Sequence, residues 1–199
     1  MGAGIAAISL AILFPLYWVY MISTGVFDSG VNYYQTTLKF GFDDVWFILL
    51  GVLSIFVYWN LKKVLDNHLG YSAVGVPITL AIIACGAYTF GLAGLDAFMS
   101  IFSNQVGLNT HKFVLGAQYL IGVGGLIVFG VADILIGALI LKNADHDSAV
   151  LKVLAIVMII QGILELTVFL SPLIIGVFPI TLIIMSVIFL TKPQAIEVV

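Results

Sequence analysis

A chain of 199 residues that is 62% hydrophobic and 9% charged cannot be an ordinary soluble domain, in which roughly a quarter of residues are charged. Its net charge of −3 argues against a nucleic-acid partner. All of its cations are lysines; without arginine, the residue best suited to bidentate grips on phosphate, phospholipid or nucleotide chemistry is disfavoured. The lone Cys85 excludes an intrachain disulfide and a cysteine-rich metal site, and reads as a small buried apolar residue.

The natural solvent is therefore lipid, and a span needs about 20 largely apolar residues. The first predicted helix covers 5–22. It lacks a basic leader region and a small-x-small cleavage site, so it reads as a retained span. Tyr17, Trp18 and Tyr20 suit a headgroup-level aromatic belt at its outer end, and Pro15 predicts a kink. The connector after it holds Asp28, Asn32, Gln35, Lys39, Asp43 and Asp44. Its Tyr33, Tyr34, Phe40 and Phe42 suggest a segment lying on the interface.

The second helix covers 45–61, with Trp46 marking one end and Tyr58 and Trp59 the other. The third covers 74–98, with Pro77 in its first turn, where a missing N–H costs least. The fourth, 113–141, is long: about 43 Å at 1.5 Å per residue, so it must tilt or protrude. The fifth covers 150–170, closed by Ser171 and Pro172, and the sixth covers 173–190. The fold class is thus all-α: a polytopic membrane bundle of six helices forming one domain over 1–199. Lys62, Lys63, Lys142, Lys152 and Lys192 fall on one side, against Lys39 and Lys112 on the other. That bias places the first side, and both termini, in the cytoplasm, and suggests a multi-pass protein of the cell (inner or plasma) membrane.

Two turns on that side resemble each other. Leu61-Lys62 is followed by Asn67-His68 and Ser72-Ala73-Val74, and Leu141-Lys142 by Asp145-His146 and Ser148-Ala149-Val150. Either turn composition has converged, or 45–98 and 113–170 are parallel hairpin repeats about an axis along the membrane normal.

Candidate chemistry lies in the intramembrane acids, which are costly in lipid and usually face a bundle interior or a wet path. Asp133 has Gly130 and Gly137 on its own helix face. Small residues admit a neighbouring helix, so Asp133 is expected to face one. Glu165 lies toward the outer end of the fifth helix with Gln161 one turn below, and Asp96 closes the third. The rise per residue gives ~15 Å of depth between Glu165 and Asp133. The two acids are therefore expected to act separately, as steps of a path or as helix-to-helix ties. In the third helix, Ala87 with Gly91 and Ala93 with Ala97 supply small-residue spacing, which predicts tight packing of the third and fourth helices.

His68, His111 and His146 all fall in connectors, which disfavours intramembrane haem. No nucleotide-binding loop, zinc-protease motif or potassium filter is present. No cofactor or metal is expected, and an enzyme is the least supported class. In Gly130, Asp133-Ile134, Gly137 and Gly162 to Leu166, the stretch 130–170 resembles the hairpins of the small six-span HdeD-type acid-stress membrane proteins. The resemblance covers about a fifth of the chain and implies a stress role, with no functional residue carried over. The leading expectation is a small channel, transporter or transporter subunit for a proton, cation or small solute. Asp133, Glu165, Gln161 and Asp96 would line its path, in a homo-oligomer or a larger membrane complex. The alternative is a structural or regulatory membrane protein whose acids serve helix or subunit contacts.

Overall fold

The computed structural model describes residues 1–24, 39–68, 72–102, 105, 107–143 and 149–191. In lipid every backbone polar group must be satisfied internally, so apolar runs of this length fold as helices. Six do so: α1 (Gly2–Ser23), α2 (Phe42–His68), α3 (Gly75–Phe102), α4 (Leu108–Asn143), α5 (Ala149–Leu166) and α6 (Ile174–Leu190). Single 3₁₀ turns, Ser72–Val74 and Ser171–Leu173, lead into α3 and α6. Each helix packs on its neighbours in sequence, and α6 closes back onto α1, so the six form a ring of antiparallel neighbours. The start of α1 and the end of α6 meet, Gly4 against Leu190, at one end of the ring, called here the terminal end.

Local chemistry sets the helix ends. The hydroxyls of Ser23 and Thr24 bond back to the Tyr20 carbonyl and stop α1. Asp44 accepts from the Gly41 amide at 2.7 Å, which is half of a capping box at the start of α2. The helices extend beyond the predicted spans at most ends, because apolar content marks the membrane crossing and not the last hydrogen-bonded turn. The fifth is the exception. It stops at Leu166, short of the predicted residue 170, and the chain turns through Val168 at φ 34°. A positive φ is unfavourable for a β-branched residue. Val168→Gly is therefore expected to raise stability by about 0.5–1 kcal/mol, the relief exceeding the entropy that glycine loses. Thermal unfolding in detergent checks this, and an unchanged or lower midpoint would contradict the turn geometry.

The outward surface is a lipid surface. Ile5, Ile8, Ile12, Leu16 and Val19 form an exposed stripe along α1, and Val153, Ile156, Ile160 and Ile163 another along α5. So much exposed apolar area is incompatible with water, and this is a multi-pass membrane protein. Trp59 stays at an interface, with the Lys62 and Lys63 ammonium groups 5.9 and 5.7 Å from its ring.

Two aromatics do not behave as belt residues. Tyr17 is buried, its ring 5.9 Å from those of Trp46 and Phe47, so it joins α1 to α2 rather than marking a headgroup level. Tyr58 is buried as well and points its hydroxyl into the bundle. An aromatic near a span end reads the same from sequence whichever face it occupies.

The interior is divided by depth. The terminal half is filled with fully buried aliphatic side chains: Leu61, Leu65, Ile78, Ile136, Ile140, Leu151, Leu154, Met158, Leu182 and Met185, with Leu10 from α1. The other half holds a smaller packed cluster, Met99 and Val114 with Leu95 and Leu115, and beside it a cavity.

The tightest helix contact is α4 on α5, not the expected α3 on α4. A Cβ on Gly137 would stand 2.5 Å from the Ala155 carbonyl oxygen, and one on Gly130 2.8 Å from that of Gly162. Gly130 and Gly137 therefore do set a close approach. Gly91 meets α4 only at ordinary contact distance, 3.5 Å from Ile121, and Ala87 is exposed on the outside of α3. The Ala87–Gly91 spacing therefore does not make the α3–α4 contact. Larger side chains do, with the Tyr88 ring seated against Gly125 and Phe129.

Candidate functional site

Four helices bring their polar residues to one point at mid-depth. The α4–α5 glycine contact aligns the two helices so that Asp133 faces Gln161. The Gln161 side-chain nitrogen donates to Asp133 Oδ2 at 2.5 Å and to Glu165 Oε1 at 3.2 Å. Its carbonyl oxygen accepts from the Thr181 hydroxyl of α6 at 2.8 Å. The Tyr58 hydroxyl of α2 reaches Asp133 Oδ1 at 3.4 Å, a long bond. Asp133, Gln161 and Glu165 are each at least 95% buried.

The separation expected between the acids is overturned. Asp133 and Glu165 share one amide nitrogen, so they are neighbours and not steps ~15 Å apart. Counting each residue from a different end of its hairpin inflated the depth difference. The register, set by Gly130 against Gly162, puts Gln161 beside Asp133, and Glu165 is one turn away. Tyr58 and Thr181 were missed. Thr181 lies in a wholly apolar run, and a mid-helix threonine commonly bonds its own backbone, as this one also does to Val177 O at 3.3 Å.

Donors and acceptors in the cluster do not balance. With both carboxyls ionised, the donors are the two N–H groups of Gln161 and the hydroxyls of Tyr58 and Thr181, and all are used. Glu165 Oε2 is left buried with no partner. Among the described residues, no lysine or histidine pairs with either carboxyl, and no group of side chains is placed to hold a metal ion. The cluster is thus rich in acceptors and short of donors.

Beside it, the half of the bundle away from the termini holds a cavity of about 470 Å³. Glu165 and Gln161 lie in its wall with Tyr58, Cys85 and Thr89. The rest of the lining is mainly aromatic and aliphatic: Phe14, Tyr17, Trp18, Phe47, Tyr88, Phe129 and Phe178, with Leu50, Leu126 and Ile174. Gly51 makes part of this wall, lying too close to Thr89 for any side chain of its own. The lining runs from mid-depth toward the end away from the termini, and an aliphatic plug fills the bundle on the other side of it.

Asp96 does not join this site. Near the far end of α3 it accepts from Gln118 at 2.7 Å, with the Asp44 carboxyl beside it, and it does not line the cavity. His111 falls in the first turn of α4 rather than in a connector, its Nδ1 3.2 Å from the Gly107 carbonyl oxygen. Asp145, His146, Asp147 and Lys192 lie outside the described residues.

The class defined by fold and site is a six-helix membrane bundle with an aromatic-lined pocket that has Glu165 and its partner Gln161 in the wall. Comparison with known protein families, characterised proteins and solved structures finds no match to this chain.

Proposed function

We propose that the protein is a small membrane carrier, or the binding subunit of one, that takes up a small solute in the pocket lined by all six helices. The observation that carries this reading is Glu165: nine-tenths buried or more, in the wall of a 470 Å³ cavity, with one carboxyl oxygen unpartnered. A buried polar atom without a partner is costly, and pockets of this size and lining are the usual form of small-molecule sites. A bound solute that supplies the missing donor would remove the cost. The described lining residues all come from one chain. On the lysine asymmetry, the half of the bundle that holds the pocket would face the non-cytoplasmic side. Release to the other side requires the aliphatic plug of the terminal half to part, so the reading is of a carrier that alternates, not of an open channel.

Cys85 gives a direct test, being the only cysteine, buried, and in the cavity wall. Methyl methanethiosulfonate, a small neutral thiol reagent, is expected to modify Cys85 in the folded protein in nanodiscs. The bulkier fluorescein maleimide should react only after denaturation. Mass spectrometry reads both. A Cys85 inert to both reagents until the protein unfolds would remove the pocket and this reading with it.

A second reading is favoured by Asp133. Its two oxygens are both engaged, by α2 and α5, and it does not line the cavity. That is the arrangement of a structural tie, so Asp133 is assigned to holding the bundle and Glu165 to the solute.

A further inference from the structure

We infer that the solute class of this pocket is the organic amine: a protonated N–H-bearing head on an aromatic or aliphatic body. The inference rests on the carrier reading above and deepens it. Three observations converge on the head. First, every donor of the cluster is already spent on Asp133, Glu165 or Gln161, while Glu165 Oε2 remains as a buried acceptor. A ligand that satisfies Glu165 Oε2 must therefore donate, and a ligand offering only acceptors, such as a carboxylate, would leave that oxygen unpaired and find donors only farther along the wall, at Tyr17, Tyr88 and Thr89.

Second, two carboxyl groups converge on one amide, and among the described residues no cationic side chain faces them. α2 brings Tyr58, α3 Cys85 and Thr89, α4 Asp133, α5 Gln161 and Glu165, and α6 Thr181. A cationic head supplies the charge the protein withholds. Third, the space above the carboxyl is walled by Phe47, Tyr88, Phe129 and Phe178, and ring faces attract ammonium groups as well as apolar bodies. A bare metal ion would find acceptors at the floor but mostly aromatic and aliphatic carbon along the walls, and among the described residues no group of side chains is placed to hold it. A neutral hydrocarbon would fill the walls and leave Glu165 unpaired.

The test uses three compounds with one body: 4-phenylbutylamine, 4-phenyl-1-butanol and 4-phenylbutanoate. Each is titrated against the full-length protein in nanodiscs. Binding is read from protection of Cys85 against methyl methanethiosulfonate and from tryptophan fluorescence in a protein carrying Trp46→Phe and Trp59→Phe, which leaves Trp18 in the pocket wall. The amine is expected to bind at least tenfold more tightly than the alcohol, and the acid not to protect. Glu165→Gln keeps the side-chain shape. It is expected to lower amine affinity at least tenfold while leaving that of the alcohol within a factor of two. The wild-type ranking needs no variant and stands even if Glu165→Gln folds poorly. Alcohol binding as tight as the amine, protection by the acid, or an amine affinity unchanged in Glu165→Gln would each overturn the amine assignment. If none of the three protects a Cys85 that the free reagent does modify, the amine class falls while the pocket survives. An unreactive Cys85 instead removes the pocket itself, so the two failures are told apart.

Discussion

Gln161→Leu is expected to lower the stability of the bundle by about 2–4 kcal/mol. Interhelical hydrogen bonds in membranes average about 0.6 kcal/mol, but a buried polar group left unpartnered costs about 1–3 kcal/mol. Gln161 is the hub of three such bonds: to Asp133, to Glu165 and from Thr181. Leucine fills the space and removes all three. Thr181 can fall back on the Val177 carbonyl. The two carboxyls cannot do likewise, since Asp133 keeps only the long bond from Tyr58 and Glu165 keeps none. Gln161→Glu is expected to be worse than leucine, because it adds a third acceptor-only group where donors are needed. Thermal melting in detergent, followed by helical circular dichroism, should show midpoints in the order wild type, leucine, glutamate. A glutamate variant as stable as wild type would mean that the amide does not hold the acids together.

The second large effect concerns glycine and has a sign reversal built in. Gly162→Ala is expected to destabilise by about 1–3 kcal/mol, the range for forcing a methyl group into a packed interior. A Cβ there would stand 2.5 Å from the Gly130 carbonyl oxygen and 3.0 Å from the Ile134 amide nitrogen, both backbone atoms that cannot swing aside. Gly116→Ala, also in a helix of the bundle, meets nothing within 4 Å. It is expected to be neutral or to gain up to about 1 kcal/mol, the helix propensity difference between the two residues. Because Gly162 sets the register that brings Gln161 to Asp133, Gly162→Ala should also weaken protection of Cys85 by 4-phenylbutylamine, while Gly116→Ala leaves it unchanged. Equal effects from the two substitutions in melting experiments would contradict the close α4–α5 approach.

The repeat suggested by the two turns remains a proposal. It would pair α2 with α4 and α3 with α5, yet the polar cluster does not follow that symmetry. Asp133 and Glu165 have as counterparts no acids at matching points of α2 and α3: Asp44 and Asp96 sit with Gln118 near the end away from the termini.

The number of helices and their membrane setting were legible in composition alone, because an apolar run of span length has one stable form in lipid. Asp133, Gln161 and Glu165 were legible as the residues of interest for the same reason: polar groups in such runs are costly and must face inward. Gly130 and Gly137 marked a packing face through their helical spacing to Asp133. These are local properties, read from a residue and its neighbours along the chain. The meeting of Asp133 and Glu165 on one amide depended on the relative sliding of α4 and α5. That sliding is decided by a backbone contact between Gly130 and Gly162, and apolar periodicity carries no information on it. Nor could sequence tell that Tyr17 and Tyr58 turn inward, or that aliphatic side chains fill one half of the ring while aromatic ones wall a cavity in the other. Hydrophobicity scores both halves alike. Whether such side chains close a space or enclose one is settled only by their volumes and directions in three dimensions.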